Sequence, residues 1–181
     1  MNIAPIAWNH VERLTLKHMY VFEKYLQYCV QKHVAGLNPI LWGFENLTLN
    51  LSRLNEGCIG LANAAGIMPD GTVFIAPEQD LLPSSISITP DLLEDNKQVT
   101  VYLALMLKPD LTSPERHYKS ERFALDKIKI DQETITVTRP RLILVAGKHR
   151  LENYTYLAVA NVLQVRSDGS LVLDPHFIAP T

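Results

Sequence analysis

The sequence predicts a mainly β protein, an antiparallel β-sandwich of about eight to ten strands preceded by one N-terminal α-helix. Three observations carry this. Beyond Trp42-Gly43 the spacing of apolar residues changes from helical to alternating. Breakers then punctuate the alternating runs: Pro69, Pro77, Pro83, Pro90, Pro109, Pro114, Pro140 and Pro175. Only one stretch before Trp42 has good helical spacing, so strands do not alternate with helices as a parallel α/β sheet requires. The expected organisation is a single domain over 1–181, with an extended arm at 1–14, a helix at 15–36 and a sandwich at 41–181.

The arm carries Ile3, Pro5, Ile6 and Trp8 without a period of its own. Trp8 either packs against its own domain or makes an intermolecular contact. Thr15 is a fair N-cap for the helix. Met19, Phe22, Leu26, Cys29 and Val30 share one side at helical spacing, and Val21, Tyr25 and Tyr28 form a second flank. Gly36 offers a left-handed C-terminal residue and Pro39 prevents continuation. A helix apolar on two flanks wants covering on both, by a sheet and a loop or by a partner subunit.

Leu47, Leu49 and Leu51 alternate with polar residues. The stretch from Leu51 to Thr72 reads as a strand, a return and a second strand closed by a tight turn. In that turn Pro69 presets φ, Asp70 can bond its own backbone and Gly71 supplies a positive φ. Val73, Phe74 and Ile75 resume the β pattern. Ile86 and Ile88, then Val99 to Leu107, then Ile135 and Val137 alternate in turn. Leu142 to Ala146 is apolar on both faces, as a central strand would be. Tyr156 to Val165 is a further long strand, and Asp168-Gly169 signals a hairpin before Leu171-Val172-Leu173. The loop from Lys108 to Arg116 is the best candidate for a flexible piece.

The 181 residues suit one domain and suffice to bury a core without disulfides. Cys29 and Cys58 stand in apolar surroundings and read as buried free thiols of a reducing compartment. Asn46, Asn50 and Asn153 open glycosylation sequons that would matter only in a secreted protein. The N-terminus, interrupted by Pro5, does not resemble a signal peptide, and no apolar run approaches the length of a membrane span. A net charge of −2 with no basic run gives no reason to expect a nucleic-acid partner.

No catalytic set is legible. The histidines at 10, 18, 33, 117, 149 and 176 lack the spacing of metal ligands. Nucleotide-binding glycine patterns and a nucleophile elbow are absent. The acidic residues Asp80, Asp91, Glu94 and Asp95 read as a solvated loop. Residues 117–122, His-Tyr-Lys-Ser-Glu-Arg, read either as a charge-protected edge strand or as a recognition surface. From the residues alone the chain is a mainly β domain with one helix and no recognisable catalytic set.

Several stretches in order resemble the N-terminal part of TssK, the baseplate subunit of type VI secretion. TssK-like chains open with a Trp, a Leu six residues on and a Gln/His-Phe-Gln motif starting a helix. Trp8, Leu14 and His18 stand at that spacing, with Met19-Tyr20 in place of Phe-Gln and His10-Val11 in place of an acidic-Gly pair. Leu51-Ser-Arg-Leu-Asn55, Met68-Pro-Asp-Gly-Thr72, Leu82-Pro83 and Tyr118-Lys-Ser-Glu-Arg122 also match. So do Arg141-Leu-Ile-Leu144 and Asp174-Pro-His-Phe-Ile-Ala-Pro180.

The resemblance implies a shell domain akin to the shoulder domain of siphophage receptor-binding proteins. It further implies a cytoplasmic homotrimer, assembled at a baseplate docked on the inner membrane. The shell would attach to the TssF–TssG wedge, and a head domain outside this chain would contact TssL and TssM. There would be no membrane insertion and no cofactor. On this basis Trp8, Leu14, His18, Tyr118, Lys119 and Arg122 are candidate partner-binding residues. Phe177, Ile178 and Pro180 are candidates for the junction with the neck and trimer. The competing function is a small-ligand or sugar-binding sandwich, possibly hydrolytic, which requires a cleft with paired carboxylates or stacked aromatics. The placing of Trp8 and Trp42 outside the main strand series disfavours it.

Overall fold

The structure, a computed structural model, describes residues 13–37, 41–93, 98–107, 122–130, 133–147 and 151–181. Its elements in order are α1 (Leu16–Leu37), β1 (Gly43–Leu49), α2 (Leu51–Asn55), β2 (Cys58–Ile59), β3 (Leu61–Ile67), β4 (Val73–Ala76) and β5 (Ile86–Ser87). A single 3-10 turn, Pro90–Leu93, follows. Then come β6 (Val99–Met106), β7 (Phe123–Ile130), β8 (Glu133–Pro140), β9 (Ile143–Ala146), β10 (Tyr154–Val165) and β11 (Leu171–Leu173). The described residues thus hold eleven strands, of which β2 and β5 have two residues each. Helix α1 belongs to one compact unit and the strands to another.

All strand pairs are antiparallel. One sheet has the order β1-β3-β4 and a second the order β11-β10-β6-β9. Strands β2 and β5 form a short ribbon, and β7 and β8 a separate hairpin. The core lies between the two larger sheets. Phe44, Leu61, Ala64, Phe74 and Ala76 come from the first; Val101, Leu103, Leu105, Leu144, Leu157 and Val162 come from the second. This is the expected sandwich.

Strand β6 shows why the alternation was so readable. Val99, Val101, Leu103 and Leu105 enter the main core, while Tyr102 and Ala104 belong to a smaller cluster on the other face of the sheet. There Tyr102 meets Tyr156 edge to face, with ring centroids 5.2 Å apart. Paired on both sides and buried on both faces, β6 is a true central strand. Across it, the Thr100 hydroxyl donates to Asn161 Oδ1 at 2.6 Å, tying β6 to its partner β10.

Two turns form as expected. After β3, Gly71 adopts φ +82°, and Asp70 Oδ1 accepts the Thr72 N–H at 3.0 Å. Between β10 and β11, Gly169 adopts φ +86° and Asp168 Oδ1 accepts the N–H and the hydroxyl of Ser170. That hydroxyl, followed by the Ser170 N–H, holds the Asp168 carboxyl below the usual carboxylate range.

Other expectations need correction. Leu51–Asn55 is a helical turn, not a strand. Leu51 is 72% exposed, so it has no core to face and the alternation from Leu47 ends at Leu49. Leu142–Ala146 does not supply a central strand, because β9 is the last strand of its sheet and pairs only with β6. Its two-sided apolarity reflects coverage of both faces of the sheet; it carries no information about pairing. Helix α1 continues through Gly36 to Leu37, so Gly36 does not terminate it. Neither cysteine forms a disulfide, and both are half-buried, not buried as expected. Asp80 is not merely solvated: its Oδ2 accepts the Ile75 N–H at 2.8 Å and closes the turn after β4.

Candidate docking surface

The candidate residues fall into four groups. Trp8, Tyr118 and Lys119 lie outside the described residues, as does the segment Lys108–Arg116. Leu14 and His18 stand at the start of α1. Leu14 is 65% exposed. His18 is engaged locally: its Nδ1 accepts the Thr15 N–H at 3.2 Å and lies 2.6 Å from the Thr15 hydroxyl. The Thr15 carbonyl in turn accepts the N–H groups of His18 and Met19. Thr15 thus caps α1 as expected, with His18 reaching back three residues as a Glu does in a capping box.

The apolar side of α1 is open. Leu16, Met19, Phe22, Leu26 and Val30 follow one helical stripe and are all exposed, as are Val21 and Tyr28 on the second flank. Leu16 and Val30 reach 84% and 62% exposure. The polar groups of the helix satisfy one another: Gln27 accepts from Lys24 and donates to Glu23. Lys24 and Lys32 lie over the rings of Tyr20 and Tyr28. A contiguous apolar stripe of this kind on a soluble surface marks an interaction site.

Arg122 belongs to the interior. Its side chain is 1% exposed and one nitrogen sits 2.5 Å from Asp70 Oδ2. The guanidinium also donates to the Thr72 hydroxyl and to the Met106 carbonyl. The Thr72 hydroxyl donates its own hydrogen bond to Asp70 Oδ2 at 3.1 Å, so turn, strand end and guanidinium close one network. Burial alone would raise the Asp70 pKa. The Arg122 charge and the Thr72 donors outweigh it and hold the carboxyl below its ordinary value. With its charge used inside the sandwich, Arg122 has no guanidinium to offer a partner. Arg122 itself ties the end of β6 and the turn after β3 to the start of β7.

The chain end packs back onto the start of β1. The Phe44 N–H donates to the Pro180 carbonyl at 2.7 Å, and Ala179 lies against the core. At Gly43 a side chain would meet that same carbonyl at 2.8 Å, which explains a glycine there. Phe177 and Pro180 are half-buried, whereas Ile178 is 86% exposed. Ile178 is therefore the apolar group this end displays.

Two further features escaped sequence reasoning. The β7–β8 hairpin pairs with no other strand among the described residues and displays Leu125 and Ile135. An ion pair, Arg139–Asp126 at 2.6 Å, runs diagonally across the ribbon. A groove of about 380 Å³ lies beside β9, with Pro83, Ile86, Arg141 and Leu144 among its lining. No carboxylate and no aromatic ring lines it, so it does not supply the cleft that the sugar-binding alternative requires. Among the described residues no cluster of His, Cys, Asp and Glu could hold a metal ion, and no helix is long and apolar enough to cross a membrane.

The described residues thus present packed sheets, an exposed apolar stripe on α1 and a groove of mixed lining beside β9. Residues 18–181 match the model of the family described as Bacterial Type VI secretion, VC_A0110, EvfL, ImpJ, VasE, and the chain belongs to that family. It is 25% identical over 187 aligned positions to the type VI secretion system baseplate component TssK1 of Pseudomonas aeruginosa, covering 97% of this chain and 41% of that protein. A crystal structure of TssK superposes with a TM-score of 0.81 at 27% identity, over 99% of this chain and 42% of the other. A chain in the structure of a TssK–TssF–TssG baseplate subcomplex superposes equally well, at 0.81 and 19% identity, over 100% of this chain and 63% of that one. The chain thus spans about two fifths of the length of TssK1 and of the TssK crystal chain.

Proposed function

We propose that this chain is the attachment domain of a TssK-type baseplate subunit and docks on the TssF–TssG wedge. The observation that carries the proposal is the open apolar stripe of α1. Family membership and the likeness to a chain in a TssK–TssF–TssG baseplate subcomplex support it. Leu14 extends the stripe at the helix start, and Trp8 on the preceding arm is a further anchor. His18 contributes by capping the helix that presents the stripe. Tyr118 and Lys119 remain candidates for the rim of the contact. A full-length subunit carrying this domain would be a cytoplasmic homotrimer, with Ile178 near the trimer junction and other domains reaching TssL and TssM. It would work as a structural adaptor without catalysis.

Leu26→Lys combined with Val30→Lys tests the stripe. Both side chains are exposed and lysine is a good helix former, so the melting temperature stays within about a degree. Affinity for purified TssF–TssG falls by about 2 kcal/mol or more, roughly thirtyfold, as for an interface anchor. Unchanged affinity would remove α1 from the interface. Trp8→Ala separates the two roles of the arm. Lower affinity at unchanged stability makes the arm part of the contact; lower stability at unchanged affinity makes it an internal brace.

A further inference from the structure

Among the described residues strand β9 ends its sheet and is hydrogen-bonded on one side, to β6. Its sequence, Ile143-Leu-Val-Ala146, contains neither charge nor proline. Those are the devices by which natural sheets make an exposed edge refuse further strands. The groove described above adjoins this edge. Leu142, Ile143 and Leu144 line it in succession. Leu144 belongs to the main core, whereas Ile143 packs with the cluster of Tyr102 and Leu151 on the sheet's other face. The groove thus adjoins residues that face both sides of the sheet. At about 3.3 Å per residue, these three residues give it roughly 10 Å of strand to read.

The charge of the groove selects its occupant. Its lining is uncharged except for Arg141. Arg141 is exposed, and among the described residues it makes no ion pair. Its neighbour in the hairpin, Arg139, is by contrast matched to Asp126. A groove of mixed polar and apolar lining, whose one charge is an unmatched cation, beside a strand edge unpaired among the described residues, fits an extended segment that carries a carboxylate.

We propose that this groove receives an extended segment of the wedge, which adds to β9 as a further strand and sets an acidic side chain against Arg141. Main-chain hydrogen bonds to β9 supply the register, and the groove takes alternate side chains. This rests on the wedge-docking reading and adds a second contact, separate from the stripe of α1.

Amide hydrogen exchange of this chain, with and without purified TssF–TssG, tests it. Exchange at 143–146 slows at least tenfold in the complex, because the outward amides of an edge strand gain partners. Arg141→Glu lowers affinity about tenfold and Arg141→Gln less, both with an unchanged melting temperature. Binding with unaltered exchange at β9 would overturn the groove while leaving wedge docking intact. Absence of binding by the unmodified chain would overturn the wedge reading and this site together. Slowed exchange at β9 that tracks the concentration of this chain alone would assign the edge to a second copy and overturn the proposal.

Discussion

Asp70→Ala lowers stability at neutral pH by about 3 kcal/mol, and the melting temperature by roughly 6–12 °C. The alanine removes the partner of Arg122, whose side chain is 1% exposed and cannot recover water without opening the sandwich. Breaking a buried pair costs this much because the remaining charge is left uncompensated. The effect has a defined pH window. The Asp70 carboxyl is held below its ordinary value in the folded protein. Its contribution is therefore complete above the unfolded pKa of about 3.9 and is lost as pH falls through the lower folded value. Melting curves of the two proteins should lie apart at pH 7 and converge in acid. The double variant Asp70→Asn, Arg122→Leu should lose less than Asp70→Ala, since no charge is then stranded. A loss below about 1 kcal/mol at pH 7 would show that water reaches Arg122 and that the network is not structural.

Phe74→Ala is the second large effect, about 3–5 kcal/mol in urea unfolding. Phe74 is fully buried on β4 and meets Phe44 of β1 edge to face, with ring centroids 6.0 Å apart. The strand between them makes this possible. Gly66 of β3 is the register partner of Phe44 on one side and of Phe74 on the other. With no side chain at the middle position, the two rings close over the glycine. Removing one ring loses its burial, the aromatic contact and the cover of Gly66 together. Gly66→Ala fails for a different reason: its Cβ would stand 2.2 Å from the Gly43 carbonyl oxygen and force β1 away from β3. If Phe74→Leu costs as much as Phe74→Ala, the ring geometry matters more than the filled volume.

Neither variant touches the proposed docking surfaces, and that separation is useful. Loss of wedge binding after Phe74→Ala or Asp70→Ala should follow the unfolded fraction alone. Loss after the α1 lysine pair or Arg141→Glu should occur in a folded protein. The first pair acts on the core and the second on open surface.

The sequence by itself determined the mainly β class, the helix from Thr15 and the turns at Asp70-Gly71 and Asp168-Gly169. Each is a local matter: a change of apolar period, a cap, or a residue that tolerates positive φ. It also carried the TssK resemblance, because ordered motifs survive even where single ones are unspecific. Tertiary structure alone decided which strand lies at the centre and which at the edge. Leu142 to Ala146 is apolar on both faces yet pairs on one side, and pairing leaves no trace in side-chain pattern. Tertiary structure likewise turned Arg122 from a surface candidate into a buried brace. Asp70 and Arg122 stand 52 positions apart, and no local rule links them. The groove at β9 was illegible for the same reason. Its lining comes from residues 81–86, 124 and 140–144, which only the packing of the sheets brings together.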